Sequence, residues 1–140
     1  MQQKLQNFFK AIEFVSAGNN FDMGLIIKDK EQIDFSSIAH KTSFIMSSDV
    51  NCIKKIKQAL EEEKWIVIEI DKNLPSLPYP YIKLLSKSNK MQIIDKDNIL
   101  DIRQTSKTRI IILCDKKYIK KVDNEYPDFR NLFGPILEIN

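Results

Sequence analysis

Trp65-Ile66-Val67-Ile68-Glu69-Ile70 is the stretch that decides the fold. It is an almost unbroken apolar run between Lys64 and Asp71. A strand with one wet face alternates apolar and polar residues, whereas a run like this one belongs to a strand covered on both sides, as in a parallel sheet. Working outward, Arg109-Ile110-Ile111-Ile112-Leu113-Cys114 repeats the pattern, and Pro135-Ile136-Leu137-Glu138-Ile139 gives a last strand. Between the first two runs, Tyr81-Ile82-Lys83-Leu84-Leu85 reads as a short helix. Met91-Gln92-Ile93-Ile94 and Ile99-Leu100-Asp101-Ile102 flank Asp95-Lys96-Asp97-Asn98 and read as a β-hairpin. Lys116 to Val122 and Asp128 to Phe133 complete the pattern with two short helices.

Toward the N-terminus, Leu5, Phe8, Phe9, Ile12 and Val15 form the apolar stripe of an amphipathic helix over 4–17, closed by Gly18-Asn19-Asn20. Gly24-Leu25-Ile26-Ile27 is a candidate buried strand, followed by the polar turn Lys28-Asp29-Lys30-Glu31. Ile33 to His40 is ambiguous, with room for one short helical turn after Asp34. Thr42 to Met46 reads as a strand. Ser47-Ser48-Asp49 supplies an N-cap for a helix from Val50 to Glu63, whose apolar face holds Val50, Ile53, Ile56 and Leu60. Pro75, Pro78 and Pro80 make Asp71 to Pro80 a rigid extended loop. Five parallel strands separated by helices predict an α/β fold, a three-layer sandwich in one domain spanning 1–140. The hairpin cannot join the sheet without breaking its crossovers and is expected to project.

Composition bounds the function. The chain has 140 residues, 43% of them hydrophobic and 29% charged, with a net charge of +3. That is enough chain for a core without disulfides or metal, and the weak, mixed charge argues against a dedicated nucleic-acid surface. Cys52, Cys114 and the single His40 lack metal-ligand spacing, so no metal and no cofactor are expected, and the thiols read as buried in a reducing compartment. No apolar run approaches the ~20 residues of a membrane span, and the first residues show no leader pattern, so a cytoplasmic protein is expected. Only 3 glycines is few for a protein that cradles phosphate with its backbone.

The order of buried strand, short helix, hairpin, Arg-led strand, short helix, Phe-Arg-Asn segment and final strand resembles the second half of an AAA+ ATPase core. The subgroup with a hairpin before the sensor strand, which includes dynein, midasin and MoxR-type modules, is the most similar. In that resemblance Trp65–Glu69 takes the place of the Walker B strand and Leu84 to Lys90 leads into the hairpin. Arg109–Cys114 takes the place of the sensor strand, and Pro127 to Phe133 that of the arginine-finger segment. The departures carry equal weight. Where the family has a glycine-rich phosphate loop with Gly-Lys-Ser/Thr, this chain has Lys28-Asp29-Lys30-Glu31-Gln32, with no glycine and two carboxylates facing any phosphate. The Walker B acidic pair becomes Glu69-Ile70, with Asp71 one step on. The sensor Asn becomes Cys114-Asp115, and the second finger residue becomes Leu132, leaving Arg130.

Other constellations are thinner. Glu69 and Asp71, two apart at a strand end, share a face and form a candidate metal or general-base pair; the plainer role is a solvated charge pair. Lys116, Lys117, Lys120 and Lys121 bracket one helix and form a candidate surface for an acidic partner or a nucleic acid, although such runs usually mark a solvated face. Pro78, Tyr79 and Tyr81 are candidate contact residues, rigid aromatics in a proline-rich loop. His40 with either cysteine makes a weak nucleophile pair. The expectation is a non-catalytic AAA+-like interaction or scaffold module that self-associates or docks a protein, with no membrane contact. Two alternatives stay open. One is a residual nucleotide-binding ATPase subunit that acts only in an assembly, using Lys28, Glu69, Asp71 and an Arg130 contributed across an interface. The other is a nucleic-acid-binding adaptor related to replication or loader proteins, using the lysine helix.

Overall fold

A computed structural model describes residues 2–14, 23–29, 32–70, 79–87, 90–105 and 107–139. In chain order these form α1 (Gln2–Glu13), β1 (Met23–Lys28), a 3-10 turn (Ala39–Lys41), β2 (Thr42–Met46), α2 (Cys52–Glu61), β3 (Trp65–Glu69) and α3 (Tyr79–Lys87). They continue with β4 (Lys90–Asp95), β5 (Asn98–Arg103), β6 (Ile110–Asp115), α4 (Lys116–Glu125), a second 3-10 turn (Phe129–Leu132) and β7 (Phe133–Ile139). The fold is α/β. Five strands form one sheet in the order β2-β3-β6-β1-β7, and every neighbouring pair is parallel.

The apolar runs explain the centre of that order. β1, β3 and β6 are buried along almost their whole length, as strands with neighbours on two edges and cover on two faces must be. The outer strands are wetter. β7 alternates buried and exposed positions, and its register against β1 shifts between Met23 and Leu25, opposite Phe133 and Ile136. Pro135 falls inside that irregularity, at a sheet edge, where a missing N–H costs no ladder bond.

Period-2 alternation sorts the sheet residues into two clusters. Leu5, Phe8, Phe9 and Ile12 of α1 pack with Ile26, Trp65, Val67, Ile111 and Leu113. On the other face Leu25, Ile27, Ile66, Ile68, Ile112 and Cys114 pack with Cys52, Ile56 and Ala59 of α2, Ile82 and Leu85 of α3, Ile119 and Val122 of α4, and Phe129. At Gly24 the side chains of α1 leave no room for a Cβ: one built there would lie 2.4 Å from Ile12 Cδ1 and 2.7 Å from Phe8 Cζ.

The hairpin forms where expected and stays out of the sheet, as a separate two-stranded antiparallel pair. It does not stand free: Met91, Ile93 and Ile102 are buried in the cluster that contains α2, because their alternation gives the hairpin one apolar face that needs cover. Three local features differ from the expected pattern. The residue flanking α2 is Asn51, and Asp49 acts two residues earlier: its carboxylate accepts the Asn51 N–H at 2.8 Å and contacts Lys55. Glu63 ends that helix with φ 55°, closing a Schellman-like turn in which Lys64 N–H donates to Ala59 O at 3.0 Å. Tyr79 and Pro80 belong to the first turn of α3 rather than to an extended loop, and that turn tolerates proline because its N–H groups have no intrahelical partner. The remainder of that loop, Asp71 to Pro78, lies outside the described residues, as does Gly18-Asn19-Asn20.

Candidate functional site

In open parallel sheets ligands bind beyond the carboxyl ends of the strands. Here those ends carry Lys28 on β1, Met46 on β2, Glu69 on β3 and Asp115 on β6. Alternation along each strand sends Lys28, Phe44, Met46, Glu69 and Asp115 to the face that α1 covers. A cleft of about 330 Å³ opens there, lined by Lys28, Gln32, Phe35, Phe44, Met46, Val67 and Glu69 among others. Lys28 and Glu69 are half-buried, and neither makes an ion pair among the described residues. Asp115 shares the face but is committed elsewhere: its Oδ1 accepts the Tyr118 N–H at 2.7 Å as the N-cap of α4.

The cleft walls are aromatic. Phe35 lies edge-on to Phe44, with centroids 5.5 Å apart, and continues to Phe9 at 6.0 Å. Phe44 is 50% exposed and Met46 41% exposed. These three residues were not legible as site residues from the sequence. Phe44 and Met46 alternate with buried Ile45, so the period-2 pattern places them on one face, but nothing local says that the face is left open. The cleft offers one ammonium and one carboxylate beside an apolar wall, which suits a small amphipathic group. Residues 32–41, between β1 and β2, run as irregular chain, a turn and the Ala39–Lys41 3-10 turn, with no α-helix among the described residues. Beyond Lys28, then, the described part of this connection offers no helix N-terminus to hold an anion.

The other candidates lie apart from the cleft. Arg130 sits in the Phe129–Leu132 turn, whose Phe129 and Leu132 join the cluster on the opposite face. Its guanidinium forks onto Asp123 of α4, Nη2 donating at 3.1 Å and Nε at 3.3 Å. That contact raises the arginine's pKa further above its ordinary value, against a small opposing effect of burial. Lys117, Lys120 and Lys121 are exposed on α4, and Lys116 is half-buried. Tyr118, the one aromatic among them, turns inward against Phe129 (6.5 Å), and burial pushes its phenol up to about 12. Tyr81 is half-buried and packs against the larger cluster. Asp71 and Pro78 lie outside the described residues, and Tyr79 is placed only as the first residue of α3. His40 is exposed in its 3-10 turn, while both cysteines are buried and free. Burial pushes the Cys52 thiol up to about 11 and the Cys114 thiol up to about 12, the opposite of what a nucleophile needs. Ile70, Cys114 and Leu132, the apolar replacements singled out in the sequence, are all core residues.

Among the described residues no three His, Cys, Asp or Glu side chains converge where a metal ion could sit, and no helix is long and apolar enough to cross a membrane. No family model matches the chain, and no curated protein matches it significantly.

Proposed function

We propose that this chain is a non-catalytic, AAA+-like interaction or scaffold module of the cytoplasm, which works by self-association or by docking a protein partner. The fold elements support the resemblance. An all-parallel five-stranded sheet has helices packed on both faces, read here as a three-layer sandwich. A hairpin stands ahead of the Arg-led strand β6, and the Phe-Arg-Asn turn stands ahead of β7. The observation that carries the non-catalytic part is the connection after β1. It has no glycine, and its described residues 32–41 hold no α-helix whose N-terminus could meet a phosphate. Arg130 adds to this, because it is held by Asp123 of its own chain.

Light scattering on the eluting protein, together with capture of a second tagged copy, tests the reading. A mass above the monomer or retention of the second copy is expected. A strict monomer that retains nothing removes its basis. The residual nucleotide-binding alternative has one observation in its favour, the meeting of Lys28 and Glu69 in an aromatic-walled cleft. Millimolar ATP with magnesium separates the two readings. A ligand present at a hundred times its Kd stabilises the folded state by about 2.7 kcal/mol, so an unchanged melting temperature is expected, and a clear rise favours the alternative. Salt-dependent retention on DNA would instead favour the adaptor.

A further inference from the structure

We propose that the outward face of the β4–β5 hairpin is a docking surface for a protein segment that pairs an aliphatic side chain with carboxylates a few residues away. This deepens the interaction-module reading and rests on it.

The argument begins with the ladder. Lys90 lies opposite Arg103, Gln92 opposite Asp101, and Ile94 opposite Ile99. All six point away from the buried face made by Met91, Ile93 and Ile102. At the tip, Ile94 is 70% exposed and Ile99 is 68% exposed. Two opposed isoleucines cover each other and still leave most of their surface in water, where the alternation of a half-buried hairpin calls for polar residues. At the base, two cations face each other directly. Like charges in that position destabilise a hairpin, and neither Lys90 nor Arg103 has an ion-pair partner among the described residues. The contrast with α2 is direct, for Lys55 and Lys57 there each meet a carboxylate, Asp49 and Glu61. Between tip and base, Gln92 Nε2 donates to Asp101 Oδ1 at 3.0 Å, so the one carboxylate of this face is already engaged. A concavity of about 400 Å³ at the base is lined by Lys90, Met91, Gln92, Asp101, Ile102 and Arg103.

An apolar knuckle and an uncompensated cation pair on one face both lower the stability or solubility of the isolated chain, and one occupant relieves both. That occupant carries an apolar group for the tip and negative charge for the base. Ile94 lies four positions from Lys90, about 13 Å at ~3.3 Å per residue, so an extended segment places its aliphatic residue about four positions from its carboxylates. A nucleic acid fits less well. The exposed tip is aliphatic and offers no ring for a base to stack on, and Asp101 interrupts the cationic track that a phosphate backbone would follow.

The test uses a fluorescein-labelled peptide, Leu-Ser-Thr-Ser-Glu-Glu with polar flanks. Its controls are the same peptide with serine for leucine, an oligo-glutamate, and an oligothymidylate of similar length. The leucine peptide is expected to bind, with an affinity that falls as salt rises. The serine peptide, and the Ile94→Ser/Ile99→Ser protein, are each expected to bind about tenfold more weakly. Lys90→Glu/Arg103→Glu is expected to abolish binding while keeping the wild-type melting temperature, since it replaces one exposed like-charged pair with another. Wild-type peptide affinity in both variants overturns the proposal, and so does tighter binding of oligothymidylate than of the peptide. If the variants lose nothing while the chain still self-associates, the hairpin proposal fails and the module reading stands. If the wild type neither self-associates nor binds peptide, both fail.

Discussion

Gly24→Ala is the sharpest single probe of how α1 seals this sheet. The added methyl would sit 2.4 Å from Ile12 Cδ1 and 2.7 Å from Phe8 Cζ, well inside the ~3.5–4.0 Å optimum for two carbon atoms. Both neighbours are buried, Ile12 at 1% and Phe8 at 5% exposure, so neither can swing into solvent. Overpacking of this kind costs about 1–3 kcal/mol, and the gain from replacing a strand glycine returns about 0.5–1 kcal/mol. The expected net loss is about 1–2 kcal/mol. For a domain of this size that lowers Tm by roughly 3–8 °C, measured by thermal and urea unfolding. A second variant separates a clash from a general intolerance of the site. Ile12→Val alone removes the offending Cδ1 and costs about 0.5–1.5 kcal/mol. In the Gly24→Ala background it should instead recover stability, giving a coupling of about 1 kcal/mol or more in the double-mutant cycle. A Gly24→Ala protein as stable as wild type, or a cycle that is simply additive, would refute the claim that α1 is pressed onto β1 at this point.

Three further outcomes follow from single contacts. Phe129→Ala should cost about 3–5 kcal/mol in urea unfolding, because its fully buried ring packs on Tyr118 and Phe133; a loss below about 1 kcal/mol would mean that the Phe129–Leu132 turn is not anchored as described. Asp49 is held below the ordinary carboxylate range, first by Lys55 and then by the Asn51 N–H. Its contribution is therefore present above the unfolded-state pKa near ~3.9 and is lost as pH falls through the lower folded value. Asp49→Asn should accordingly flatten the fall in stability below about pH 4, and an acid limb identical to wild type would contradict the contact. Finally, Cys52 and Cys114 should both resist a thiol reagent at mildly alkaline pH until urea unfolds the chain, since burial is the first cause of both raised thiol pKa values; rapid labelling of either in the folded protein would show its burial to be wrong.

The strands were legible because their signal is local. Trp65–Glu69 and Ile110–Asp115 announce burial on both faces through composition alone, and the hairpin announces itself through two runs around Asp95-Lys96-Asp97-Asn98. The neighbours of each strand were not legible. β1 sits between β6 and β7, a pairing between segments more than eighty residues apart that no window of sequence contains. The same limit applies to the cleft. That Lys28 and Glu69 share a face follows from alternation within each strand. Their meeting with Phe35 depends on the path of the 32–38 segment across the sheet, which is a long-range fact. The hairpin's packing, by contrast, is written in its own alternation: Met91 and Ile93 flank Gln92, Ile102 lies between Asp101 and Arg103, and the apolar face this makes needs cover.

The cleft and the hairpin face carry unequal weight, because only one of them has a structural cause. Five strands about 4.8 Å apart span ~19 Å between the outer two, and a helix with its side chains is ~10–12 Å across. A single helix therefore covers only part of such a sheet. On this face α1 is the only α-helix among the described residues, and it sits toward the β7 edge of the sheet, sharing one apolar cluster with residues of β7, β1, β6 and β3. Ile33, Phe35 and Ile38 extend that cover toward β3, and Lys41 lies 4.2 Å over the Trp65 ring. Phe44 and Met46 on the outermost strand are left exposed. Without an α-helix in the described part of the β1–β2 connection, a cleft at the ends of β1, β2 and β3 is the geometric remainder, and strand-end residues such as Lys28 and Glu69 line it whether or not they bind anything. Lys90 opposite Arg103 has no such origin. No packing requirement places two cations across from each other on an exposed ladder, and no crossover requires two isoleucines at its tip. Of the two surfaces, the hairpin is the one whose exposed residues the fold does not require, and for that reason the docking proposal rests on it.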